Sequence, residues 1–135
     1  MKKKVLGLST KGYVGFCVLS LAYLSVASFI APQSTMDLVN LELGNTDAIS
    51  SIRGIYGGVG LTITTSLIYL FIQKKIHEIL LFLSLFWGLY AISRYITILV
   101  DGKLGDFGNQ WIVIESVLCM VGIILIRYNK RNVTH

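Results

Sequence analysis

Apolar residues in this chain come in long unbroken runs separated by short polar clusters. They show neither the alternation of a strand nor the narrow stripe of a surface helix. Four runs approach the roughly 20 apolar residues needed to cross a hydrocarbon core about 30 Å thick. The first covers residues 12–31 and closes at Pro32, the one proline of the sequence. The second covers 49–72 and follows Asn45, Thr46 and Asp47, residues that favour helix N-caps. The third covers 76–100 and stops at DGKLGD; the fourth covers 110–126 and stops at RYNKR. Soluble helices seldom sustain such lengths without charge. The pattern predicts an all-α polytopic membrane protein, a four-transmembrane-helix bundle forming a single domain over residues 1–135.

The polar clusters between the runs are sorted by charge. Lys2, Lys3, Lys4 and Lys11 precede the first run, Lys74 and Lys75 join the second to the third, and Arg127, Lys130 and Arg131 follow the fourth. The other two connections hold Lys103 beside Asp37, Glu42, Asp47, Asp101 and Asp106. Basic loops stay on the cytoplasmic side, so both termini are expected there. The first run also resembles a secretory signal, with a basic start and SVA as a cleavage-like site. It is long for one, and its retention is expected.

Composition adds little to this picture but closes off alternatives. Hydrophobic residues are 54% of the chain and charged ones 14%, against roughly 25% charged in an average soluble domain. The net charge of +5 follows from the sorted loops. With no basic patch among aromatics, nucleic acid is not an expected partner, whereas membrane lipid with anionic headgroups is. Cys17 and Cys119 lie in apolar runs at a spacing that fits no metal or redox motif, so no metal or cofactor is expected. The longest connection, 32–48, contains STMDLVNLELG, where Ser34 and Asp37 form a capping-type pair ahead of spaced apolar residues. It predicts a short interfacial helix or cap over the outer mouth of the bundle.

Three charges lie well inside the apolar runs: Arg53, Arg94 and Glu115. An arginine at a helix centre costs about 2.5 to 3.5 kcal/mol on insertion scales, so such residues face protein and find partners. At 1.5 Å per residue, Arg53 lies roughly 6 Å below the start of the second run. Arg94 and Glu115 lie roughly 9 and 8 Å from the connection joining the last two runs. One charged layer in the outer half of the bilayer is expected. Side chains lean toward the N-terminus of their helix, so Arg53 leans outward to the interface and Arg94 leans deeper. Arg94 therefore needs Glu115.

Helical steps from each charge pass through a stripe of small, aromatic or polar residues. Arg53 shares its face with Tyr56, Gly57, Gly60 and Thr64; Arg94 with Trp87, Tyr90, Thr97 and Asp101; Glu115 with Trp111, Cys119 and Gly122. Such stripes are the packed sides of membrane helices. Gly54, Gly57 and Gly58 are expected to let another backbone approach. Two guanidiniums against one carboxylate leave an excess positive charge unless Asp101 or Asp47 reaches in. That excess suits an anionic or carbonyl-bearing amphiphile, such as a lipid headgroup or a quinone.

The segments RGIYGG and SRYITILVDGKL, with a glutamate early in the fourth run, resemble the small bacterial membrane proteins of domain-of-unknown-function family 4345. The resemblance covers all four runs. Its matching residues are Arg53, Tyr56, Gly57, Gly58, Arg94, Asp101, Gly102 and Glu115; Leu104 stands where that family often has proline. It implies the fold, a bacterial cytoplasmic (inner) membrane location and a set of polar residues, but no activity. A looser likeness in layout is to the four-span sterol-biosynthesis scaffold of the endoplasmic reticulum.

The leading expectation is a non-enzymatic lipid-binding or scaffolding protein, or an accessory subunit of a protein complex or homo-oligomer in the membrane. A second is a membrane enzyme or redox accessory acting on a quinone or lipid. No Ser-His-Asp or Cys-His set supports it, and His77 lies away from the charged layer. A third is a small proton-coupled transporter built on Glu115, whose cationic substrate two arginines would repel.

Overall fold

The computed structural model describes residues 2–131, with the side chains of residues 7–129. Every regular element in them is helical. The order is α1 Lys2–Ile30, α2 Pro32–Asp37, α3 Thr46–Ile52, a π-helical segment Arg53–Val59, α4 Gly60–Ile72, α5 Ile76–Val100 and α6 Asp106–Arg131. Four helical stretches are long and apolar enough to cross a membrane: Gly7–Ile30, Thr46–Ile72, Ile76–Val100 and Asp106–Asn129. The third matches the expected run. The second starts three residues earlier, because the Asn45 side chain accepts the Ala48 N–H at 2.8 Å and so caps α3.

The first and fourth helices outrun their apolar stretches. α1 begins at Lys2 rather than at residue 12, and α6 runs from Asp106 to Arg131 rather than over 110–126. Polar end residues continue a helix that is already nucleated, since each added residue gains a hydrogen bond without a new nucleation cost. Asp106 also suits the first turn of α6, where the helix dipole favours negative charge. Lys2, Lys3, Lys4, Lys130 and Arg131, which carry much of the charge asymmetry, lie outside the described side chains.

The chain divides into two compact units, residues 15–73 and residues 1–14 with 74–135. In the second, α5 and α6 form an antiparallel hairpin. α5 buries Ile79, Leu80, Leu83, Ser84, Trp87 and Ala91, one face at helical spacing. Gly122 lets the helices meet closely: a Cβ there would fall on the Ser84 hydroxyl and 2.9 Å from that of Tyr13. Tyr13 donates to the Leu118 carbonyl at 2.9 Å, which anchors the start of α1 to α6. The hairpin turns at Gly102, whose φ of +110° is cheap only for glycine. The Asp101 and Gly102 N–H groups both close on the Thr97 carbonyl, at 2.8 and 3.0 Å. Away from the contact face, α5 exposes large apolar side chains up to Leu99 at 84%, as lipid-facing residues do.

In the unit of residues 15–73, α2 packs on α3. It begins with Pro32 at its first position, so the missing N–H costs nothing. The expected Ser34–Asp37 capping pair is not formed: Ser34 lies inside the helix and its hydroxyl donates back to the Ala31 carbonyl at 2.7 Å. Gln33 organises the connection instead. Its amide donates to Asp37 Oδ1 (2.7 Å) and the Leu41 carbonyl (3.0 Å), and its oxygen accepts the Leu43 N–H (2.9 Å). A buried hydroxyl pair, Ser28 with Thr35 at 2.9 Å, ties α2 to α1.

Candidate functional site

Arg94 and Glu115 meet across the α5–α6 hairpin. Arg94 Nε donates to Glu115 Oε2 at 2.7 Å and Nη2 donates to Oε1 at 2.9 Å, a bidentate pair. Glu115 is 2% exposed and the Arg94 side chain 20%. The hairpin explains the meeting. Six residues separate Arg94 from the end of α5 and nine separate Glu115 from the start of α6, so Glu115 lies about 4 to 5 Å farther from the turn. Arg94 leans toward the α5 N-terminus and covers that difference. Its guanidinium carbon also lies 5.9 Å from the centroid of the Phe107 ring, which itself rests on Trp111. The pair neutralises itself.

The other residues on these faces take separate places. Tyr90 is exposed and packs on Phe86, with ring centroids 5.0 Å apart. Thr97 donates to the Ser93 carbonyl at 3.0 Å. Asp101 is exposed, ends α5 through its backbone, and pairs with no cation among the described residues. The Trp87 indole N–H is buried without a hydrogen-bond partner among the described residues.

Arg53 belongs to the unit of residues 15–73 and is held differently. Its Nε donates to the Phe29 carbonyl at 2.9 Å. Phe29 is the penultimate residue of α1, where the last four carbonyls have no partner within the helix. Arg53 thus supplies a donor and a positive charge where the α1 dipole favours both. It caps the preceding span.

The local backbone makes that reach possible. Residues Arg53–Val59, RGIYGGV, form seven residues of π-helix. With i→i+5 bonding, residues four and five apart become neighbours, so Arg53 stands beside Gly57 and Gly58 instead of over Tyr56. Gly57 is buried, and a Cβ on it would lie 2.8 Å from Phe29 Cα. Arg53 and Gly57 therefore meet the same residue of α1. Gly60 continues the contact, since a Cβ there would fall on the Ser25 hydroxyl. Gly54 and Gly58, expected to share this role, face open space. Tyr56 is half-buried and its hydroxyl has no hydrogen-bond partner among the described residues.

A family model for a domain of unknown function, DUF4345, matches residues 9–126. The chain belongs to this family. Neither a curated protein nor a solved structure matches it. In this DUF4345 member, the segment RGIYGG is the π-helical segment short of its last residue, and the arginine of SRYITILVDGKL is the one that Glu115 holds. Sequence reasoning missed three participants: the Phe29 carbonyl, Gln33 and Phe107. A backbone carbonyl leaves no mark in a sequence, and nothing sets Gln33 or Phe107 apart from ordinary polar and apolar neighbours. The three glycines among six residues, 53–58, were the one available signal of an irregular helix.

Among the described residues Arg94–Glu115 is the ion pair, and neither Asp47 nor Asp101 reaches an arginine. Arg53 bonds a neutral carbonyl and keeps its full charge. A shallow open groove along α4 is lined by Leu61, Thr62, Thr65, Ser66, Tyr69 and Leu70. Arg53, Tyr56, Tyr90, Arg94 and Glu115 do not line it.

Proposed function

We propose that this protein is a non-enzymatic, multi-pass protein of the bacterial cytoplasmic membrane that holds an amphiphile by its polar head at Arg53. In that role it serves as a lipid-binding module, or as a scaffold or accessory subunit for membrane partners. One observation carries the reading: Arg53 stands within a membrane-span-length helix with no carboxylate to neutralise it among the described residues. A guanidinium in such a place is stabilised by an anionic or strongly polar group brought from outside the protein. Glu115 speaks against the transporter reading. Both its oxygens are held by Arg94, so it is not a free carboxylate waiting for a proton or a cation.

The test is to purify the full chain in mild detergent and identify the amphiphiles that remain bound by mass spectrometry. The wild type should retain an amphiphile that Arg53→Gln loses, while Arg94→Leu with Glu115→Leu keeps it. Identical bound species in wild type and Arg53→Gln would overturn the reading.

A further inference from the structure

We infer that the ligand of Arg53 is the phosphate group of an anionic glycerophospholipid, and that the π-helical segment exists to aim the guanidinium at it. The inference rests on the amphiphile-binding reading above and narrows its chemistry. Arg53 spends only Nε on the protein, in the bond to the Phe29 carbonyl. Both terminal nitrogens have no partner among the described residues, and the side chain is half-buried rather than free in solvent. Anchored at Nε, the planar guanidinium has lost much of its rotational freedom. It presents the Nη1–Nη2 edge in one direction, as a fork.

A fork of two parallel N–H donors with a full charge matches a tetrahedral oxyanion, which offers two oxygens to one edge. A quinone carbonyl offers a single neutral oxygen and leaves the charge uncompensated. Phosphate therefore fits where a quinone does not. A zwitterionic lipid fits less well than an anionic one, because its own ammonium competes for the phosphate.

The backbone supports this aim. Gly57 fits the segment against Phe29, and Gly54 and Gly58 leave open space on the remaining sides. Tyr56, three positions along the segment, keeps a hydroxyl without a hydrogen-bond partner among the described residues. Residues four apart are neighbours in a regular α-helix too, so what the widened turn changes is the angle between Arg53 and Gly57 about the axis, and with it how the two together meet Phe29. The widened turn keeps anchor and fork together. Above this level, Gln33 and the Ser28–Thr35 pair hold α2 and its connection in a fixed shape.

The experiment is native mass spectrometry of the delipidated full chain in detergent, titrated separately with phosphatidylglycerol, phosphatidylcholine, diacylglycerol, a short-chain ubiquinone and inorganic phosphate. Phosphatidylglycerol should bind about tenfold or more tightly than diacylglycerol or the quinone, at least the scale of one charge-assisted hydrogen bond. Phosphatidylcholine should fall between. Arg53→Gln should abolish the preference, Arg53→Lys should keep a weakened one, and Thr65→Ala should leave it intact. Deleting Gly54, where a Cβ would meet nothing, shortens the π-helical segment by one residue and should cost the preference in a chain that still folds by circular dichroism. Quinone binding that depends on Arg53 would overturn the phosphate assignment yet keep the amphiphile reading. Binding of inorganic phosphate alone with equal strength would overturn the lipid source. Retention of every lipid alike by wild type and Arg53→Gln would sink both.

Discussion

At the scale of single residues, Glu115 carries the largest electrostatic risk in the molecule. A carboxylate 2% exposed within a membrane-span-length helix has little water to hydrate it, and Arg94 meets both its oxygens instead. Each residue is the other's solvent. Replacing either one strands a buried charge, which typically costs about 3 to 5 kcal/mol. Glu115→Leu and Arg94→Leu should each lower the unfolding temperature of the detergent-solubilised chain steeply. The double variant should lose less than the sum, because nothing charged is left unpaired. Simple additivity in that cycle would mean that the two side chains do not depend on each other. This contact was legible in the sequence because Glu115 is the one carboxylate deep in an apolar run and the lean of Arg94 pointed toward it. The Arg53–Phe29 contact was not, because its acceptor is a main-chain oxygen that any residue at that position would provide.

At the scale of elements, the π-helical segment separates two kinds of glycine that look alike in the sequence. Gly57 is a packing glycine: a Cβ would lie 2.8 Å from the Phe29 backbone, which cannot rotate away as a side chain could. Gly57→Ala should therefore destabilise the protein by about 1 to 3 kcal/mol, the usual cost of overpacking. Gly58 has open space where its Cβ would go, so Gly58→Ala should be neutral or stabilise by about 0.5 to 1 kcal/mol through helix propensity. Thermal unfolding of the two variants side by side checks the contrast; equal losses would mean that Gly58 is packed as Gly57 is. The same distinction shows how far pattern can take a reading of elements. Ile76–Val100 matched its run because the apolar stretch stops where Gly102 turns the hairpin, and Asn45 declared the start of α3 by its capping chemistry. The π turn left no periodic trace, since Arg53 and the three glycines mark the segment by composition and not by spacing. The Ser34–Asp37 pair misled because Pro32 starts α2 earlier than a capping pattern would.

At the scale of the whole molecule, charge placement decides orientation, a property that helix length and apolarity leave open. Nine of the ten basic residues outside the apolar runs fall on one side of the alternating connections, and Lys103 alone falls on the other. Retaining lysine and arginine on the cytoplasmic side is a property of insertion, counted over short loops near the span ends, and all the loops here are short. The acidic residues do not offset it, because aspartate and glutamate contribute little to the rule. Both termini and the Lys74–Lys75 turn are therefore expected in the cytoplasm, with Arg53 and the Arg94–Glu115 pair toward the outer face. That orientation also bears on the proposed ligand: a phosphate held at Arg53 would then belong to the outer leaflet of the membrane. A membrane-impermeant thiol reagent applied to intact cells gives the answer, in a background where Cys17→Ser and Cys119→Ser remove the native thiols. Lys103→Cys should be labelled from outside, and Lys74→Cys should be labelled only after the cells are opened. The reverse pattern would place the basic loops outside, move Arg53 to the inner leaflet, and require a different cause for the charge asymmetry.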